Sequence, residues 1–174
     1  PMARQRELGD DVLLERFSYR MIVVDEDQKW TWNGTPVADR TKDFFLSHLG
    51  WQPEVERWFF EYQVNPEWID KSYLDARVTP LVARALRVVE GELWASLNCG
   101  KDVRLDRESF RLDARERLMC EANGMGGAMV DGNERFRLLK GVDETLSQTL
   151  FEGLLIPLRS TPASKPEFRA WRSP

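Results

Sequence analysis

His48 is the single histidine of the 174-residue chain, so any Ser-His-Asp, Cys-His or multi-histidine metal arrangement would have to pass through it. It stands at the end of a helix-like segment beside Leu49, with no second ligand at metal spacing, and reads as a structural or half-exposed histidine. Cys99 and Cys120 lie 21 residues apart, outside any Cys-x-x-Cys or Cys/His spacing, and neither has a base beside it in sequence. Buried free thiols in a reducing compartment are the expectation for both. Asp25-Glu26-Asp27 lacks the spread ligands, central glycine and terminal glutamate of a calcium loop, and reads as a hairpin turn. Gly124-Met125-Gly126-Gly127 has neither a following Lys-Ser/Thr nor dinucleotide spacing, so it reads as a backbone reversal. These residues define no catalytic group, no metal site and no cofactor.

Two sets of side chains remain. Arg104, Arg107, Arg111, Arg115 and Arg117 form a basic run interleaved with Asp102, Asp106, Asp113 and Glu116. Opposite charges so mixed screen one another, which makes the run a solvated face, with an anion or nucleic-acid patch as the alternative. Trp30, Trp32, Trp58 and Trp68 stand out in a chain with seven Trp and nine Phe. Trp fills cores, yet its apolar face and polar N–H also suit a pocket for a small ligand or peptide. Trp30, Trp32 and Trp58, together with Arg84, are the candidate ligand-binding residues. An enzyme built on carboxylates and arginines alone, such as Asp75 with Arg84, is the rival reading.

The bulk properties narrow the field. A net charge of −4 and a pI near 5.2 supply no overall field to draw nucleic acid or an anionic membrane. No charged-then-apolar leader and no apolar run of about 18 residues occur, so no membrane partner is expected and the expected location is the cytoplasm. The length suits one large domain or two small subdomains.

The elements that position these residues follow from apolar periodicity and turn chemistry. Residues 4–17 predict a short helix beginning near Asp10. Residues 19–24 and 29–32 predict a hairpin across the acidic turn, with Trp30 and Trp32 on one face. Asn33-Gly34 predicts a tight turn, Pro36 an edge position, and residues 38–49 a helix capped by Asp39 or Thr41 and ended by Gly50. Residues 58–64 read as a strand and 67–76 as irregular. Residues 80–89 and 92–98 read as an antiparallel pair whose mixed faces leave the register open. Residues 103–106, 110–113 and 116–121 read as short strands. Residues 128–130 and 136–139 predict a second hairpin, followed by a helix over 142–155.

The order of residues 24–49 recurs in pattern over 130–155: Val-Asp, a polar turn, an aromatic-bearing strand, a glycine and a helix. The predicted fold is α+β, with two hairpin-helix (β-β-α) repeat-like units flanking a central, mainly antiparallel sheet. Residues 4–157 form a single α+β domain in this reading, divisible into subdomains at about 19–56 and 57–157. Residues 158–174 follow as a mobile tail.

The first unit also carries a likeness. Trp30-Thr31-Trp32-Asn33-Gly34-Thr35-Pro36-Val37, with the Phe-bearing helix behind it, resembles the opening of the domain of unknown function 1285 family. An aromatic strand over residues 58–62, Asp75-Ala76 ahead of Pro80, Leu97-Asn98 with Gly100 and Val103, and the closing hairpin–helix extend the resemblance over most of residues 19–155. In that family Asp-Ala-Pro is contiguous, whereas Arg77-Val78-Thr79 intervenes here. The resemblance implies a bacterial protein of repeated α+β motifs with a part in signalling or ligand sensing. It supplies no activity and no catalytic residues. The functional expectation is a non-enzymatic ligand-binding or regulatory domain, taking a small molecule or peptide and able to form a homo-oligomer through an exposed sheet edge. A carboxylate-and-arginine enzyme and a structural subunit of a larger assembly are the alternatives.

Overall fold

The computed structural model describes residues 4–7, 22–65 and 68–160. These fall into two compact units, one running to Pro80 and the other starting at Leu81. The content is mixed α+β, mostly strand. Among the described residues no helix is long and apolar enough to cross a membrane.

The first unit runs β1 (Arg4–Glu7), β2 (Ile22–Val24), β3 (Trp30–Trp32), β4 (Thr35–Pro36), α1 (Asp39–Ser47), β5 (Leu49–Gln52), β6 (Arg57–Asn65), β7 (Trp68–Tyr73) and β8 (Asp75–Ala76). Its strands form two four-stranded sheets, ordered β1-β7-β6-β5 and β4-β3-β2-β8. The β2–β3 hairpin forms as expected, with Val24 opposite Trp30. Asp25 closes its turn by accepting from the N–H groups of Asp27 and Lys29, both at 2.9 Å. Asn33 and Gly34 take φ of 50° and 77°, the left-handed pair that reverses β3 into β4. Pro36 has no N–H to give a further strand, and β4 lies at the sheet edge.

Helix α1 departs from expectation at both ends. Its N-cap is Ala38, which makes no side-chain cap bond, in place of Asp39 or Thr41. It stops at Ser47, and Leu49-Gly50 begins β5 instead of ending the helix. Gly50 is needed there because a methyl group would overlap the Phe59 ring of the paired strand. Residues 68–73 and 75–76, expected to be irregular, are β7 and β8. Asp70, Lys71 and Ser72 have poor strand propensity, and it is the ladder to β6 that holds them extended.

The second unit runs β9 (Val82–Val89), β10 (Glu92–Leu97), β11 (Asp102–Leu112), β12 (Leu118–Ala122), β13 (Gly126–Val130), α2 (Gly132–Leu139), β14 (Gln148–Phe151), β15 (Leu154–Pro157) and β16 (Arg159–Ser160). Strands β9 to β13 pair antiparallel in succession, and β13 returns parallel to β9, so the pairings close on themselves. Ala85 and Leu86 together face Ala95 alone, a bulge with φ of 49° at Ala85. The bulge resets the alternation: Ala83 and Leu86 are buried, while Arg84 and Ala85 between them are exposed. This is why neither face of β9 looked clean in sequence. The separate strands expected at 103–106 and 110–113 are one, β11, whose register to β12 shifts between Asp106 and Arg111. The Ser109 hydroxyl fills that gap by accepting from the Glu121 N–H at 2.8 Å.

The second hairpin–helix unit is not formed. Residues 136–139 belong to α2, started by Asp131, whose carboxylate accepts from the Asn133 N–H at 2.9 Å. Residues 142–155, expected as a helix, contain the β14–β15 hairpin, reversed at Glu152-Gly153 with φ of 47° and 82°. The helical stripe behind the expectation included Leu146 and Leu150, which are 69% and 56% exposed. Two of the apolar residues spaced for a helix are thus on the surface while Leu154 is buried in β15, and the repeat ends with its first copy. Of the expected tail, Arg159–Ser160 pairs as β16 with β11. Residues 161–174 lie outside the described residues, as do residues 19–21 and the helix expected near Asp10.

Candidate functional site

Trp30 and Trp32 take the same face of β3, as their spacing demands, and the environment changes along it. Trp30 is 5% exposed, with its ring 6.4 Å from Phe60. Phe60 is fully buried and lies 4.8 Å from Phe45 of α1. One aromatic cluster therefore joins both sheets of the first unit to the helix. Trp32 touches the rim of that cluster, edge-on to Phe45, and is 37% exposed. Trp58 is buried and stacks at a tilt on Trp51, 4.6 Å away. Of the three candidate Trp residues, Trp30 and Trp58 are core, and Trp32 reaches the surface.

There Trp32 forms one wall of a cleft of about 370 Å³ with Thr35, Pro36, Val37, Ala38 and Thr41. The β3–β4 turn and the start of α1 supply the other walls. Val37 is held in place by its N–H, which donates to the Trp30 carbonyl at 2.9 Å. From sequence Val37, Ala38 and Thr41 read as motif, helix start and cap candidate, and not as ligand-binding residues. Their signal was Pro36, which ends β4 immediately before them. Phe44 and His48, at the far end of α1, stack 4.5 Å apart, and His48 Nδ1 lies 2.8 Å from the Phe44 carbonyl.

Arg84 belongs to the second unit, where its Nε lies 3.9 Å from Asp131. Asp75, its partner in the rival reading, sits on β8 of the first unit. On β11 the arginines of the basic run lie against carboxylates, Arg104 with Glu92 at 3.8 Å, Arg107 with Glu108 at 3.6 Å and Arg111 with Glu121 at 3.5 Å, and in the turn after it Arg117 pairs with Asp113 at 2.6 Å. Glu92, Arg104, Asp106, Arg107, Glu108 and Glu121 line a wider groove of about 570 Å³. Most of these side chains are exposed, so water screens them.

Cys99 and Cys120 are both buried and free. Burial pushes the Cys120 thiol up, the reverse of nucleophile activation, with the Glu121 charge adding to it. Asp102 is held below its ordinary value by the Ser96 hydroxyl bond, then by Arg87, against a desolvation that raises it. Asp143 feels desolvation most, yet bonds from Ser147, Thr145 and the Gln148 backbone bring it below its ordinary value. Both are turn fastenings rather than acids poised near neutrality. Among the described residues no three His, Cys, Asp or Glu side chains are grouped to hold a metal.

No family model and no curated protein matches the chain. Solved structures do. A DUF1285 family protein from Shewanella baltica OS155 superposes with a TM-score of 0.52 at 14% identity, covering 74% of this chain and 98% of that one. A DUF1285 family protein from Silicibacter pomeroyi DSS-3 gives 0.56 at 16% identity, covering 90% and 82%. At this identity the likeness is one of fold. It is the family that the Trp-x-Trp unit resembled.

Proposed function

We propose that the chain is a non-enzymatic ligand-binding or regulatory domain, and that the cleft beside Trp32 receives a flat apolar or aromatic group of a small molecule or peptide. The observation that carries this is the divided fate of the Trp pair. Trp30 is closed into the core, while Trp32, two residues on, keeps 37% of its surface at a cleft. An exposed indole edged by Pro36 and Val37, with hydroxyls of Thr35 and Thr41 nearby, has the mix of apolar wall and few polar groups that small-ligand sites use. A volume of about 370 Å³ suits one ring system or one large peptide side chain.

The enzyme reading would rest on the charged groove of the second unit. Its arginines already lie against carboxylates in water, which weakens their pull on a developing charge. The binding reading is tested by NMR of the Trp indole N–H signals during titration with aromatic and apolar metabolite fragments. Fragments should move the Trp32 signal and leave Trp30 and Trp58 in place, and Trp32→Ala should abolish the response. Fragments that bind equally well to Trp32→Ala would remove the cleft from consideration.

A further inference from the structure

Strand β13 pairs with β9 only at Val82 and Ala83. Beyond that point the edge of β9 away from β10 is served by side chains. The Leu86 N–H donates to Glu134 Oε2 at 2.9 Å, and the Val88 N–H donates to Glu152 Oε2 at 3.0 Å. Arg137 Nη1 donates to the Leu86 carbonyl at 3.4 Å. Two acceptors and a donor, spaced over residues i and i+2, are what a neighbouring extended strand would present.

Arg137 connects the set. Its Nη1 also reaches Glu134 at 2.7 Å, and its Nη2 donates to Glu152 at 3.1 Å. Its guanidinium carbon lies 5.2 Å from the centre of the Phe151 ring. The Arg137 and Glu152 side chains are 43% and 44% exposed, against 13% for Glu134. Ion pairs with such access to water weaken as salt rises.

We propose that Glu134, Arg137 and Glu152 form a salt-sensitive latch over the outer edge of β9, with Arg137 as its pin. Closed, the latch occupies the edge with side chains and denies it to another strand. Released, it bares the Leu86 and Val88 N–H groups together, in the arrangement through which a sheet edge accepts an added strand. Helix α2 stays on β14 meanwhile, because the buried Thr149 hydroxyl donates to the Leu138 carbonyl independently of the latch.

Amide hydrogen exchange of the full chain, read residue by residue by NMR, tests the latch. Raising NaCl from about 0.05 M to about 1 M should speed exchange at Leu86 and Val88 together, on the order of tenfold. The Leu97 amide, bonded to the Lys101 carbonyl, should hold its rate and report an intact fold. In Arg137→Met both amides should exchange fast at low salt and respond no further. Salt-independent exchange in the wild type overturns the proposal, as does an Arg137→Met protein that keeps either amide protected. Should Arg137→Met fail to fold, Glu152→Ala at the exposed turn is the second variant. It bares Val88 directly, so Leu86 following Val88 supports a shared pin, and Leu86 staying protected overturns it.

Discussion

The Trp32 indole meets the Phe45 ring edge-on, with 6.1 Å between centroids and 75° between planes. Phe45 is 3% exposed and continues inward to Phe60, so Trp32 rests on the core without entering it. A three-residue strand thus carries one indole that holds the unit together and one that borders a cleft.

The two indoles should therefore respond differently to truncation. Trp30→Ala should cost on the order of 3–5 kcal/mol, as large-to-small changes in a closed core do. Trp32→Ala should cost roughly 1 kcal/mol, since much of its surface is already in water. Urea unfolding of the two variants makes the comparison. Equal losses would place Trp32 in the core on the same terms as Trp30.

Gly141 reports on the β14–β15 hairpin. Its carbonyl accepts from the Leu150 N–H at 3.0 Å, and a methyl group on Gly141 would overlap the Leu150 carbonyl oxygen. Gly141→Ala should destabilise the protein by about 1–3 kcal/mol, the usual range for an overpacked contact. Thermal denaturation would measure it. A neutral result would contradict the close approach of residue 141 to β14.

Asp102 and Asp143 contribute to the acid limb of stability. Each carboxyl lies below its unfolded value of 3.8 in the folded chain. Their contribution is then fully present above that value, and is lost as pH falls through the lower, folded-state one. The double variant Asp102→Asn, Asp143→Asn should be less stable near neutrality and lose less between about pH 4 and about pH 2. Denaturant midpoints across that window would show it, and parallel acid limbs would refute it.

Cys120 works with the opposite sign. Its folded-state value is raised above the ordinary 9.0, so its contribution is intact below that pH and declines above it as the unfolded thiol ionises. The native thiol should resist iodoacetamide at about pH 8 and react once urea opens the fold. Mass spectrometry of the labelled chain decides the matter. Rapid native labelling at Cys120 would mean that β12 opens far more readily than its buried side chains suggest.

Where turn chemistry was local, the chain could be read directly. Asp25 fastens the β2–β3 turn, Asn33-Gly34 reverses β3, and Pro36 blocks an edge, each through its own backbone geometry or one nearby bond. The likeness to DUF1285 proteins was legible in the same unit, through the Trp-x-Trp strand and the Phe-bearing helix, whereas the second hairpin–helix unit read beside it is not formed. Trp32 was legible as a candidate, but its difference from Trp30 was not. Both are indoles on one face, and only Phe45 and Phe60, brought in by α1 and β6, decide how deep each lies.

Elsewhere burial had to be known before periodicity could be trusted. Leu146, Leu150 and Leu155 are more than half exposed, as is Phe136, so apolar spacing in this region did not mark a core face. The bulge at Ala85 likewise shifts the alternation of β9 by one residue, and its register depends on β10. By itself the sequence determined the turns at Asp25 and Asn33-Gly34, the edge proline and the placement of both Trp residues on one face. Tertiary structure decided which apolar residues are covered, which polar strands are held extended by a neighbour, and that carboxylates of Glu134 and Glu152 complete the edge of β9. The division has one physical cause. Backbone conformation at a turn is set within a few residues, whereas burial and strand pairing belong to partners distant in sequence.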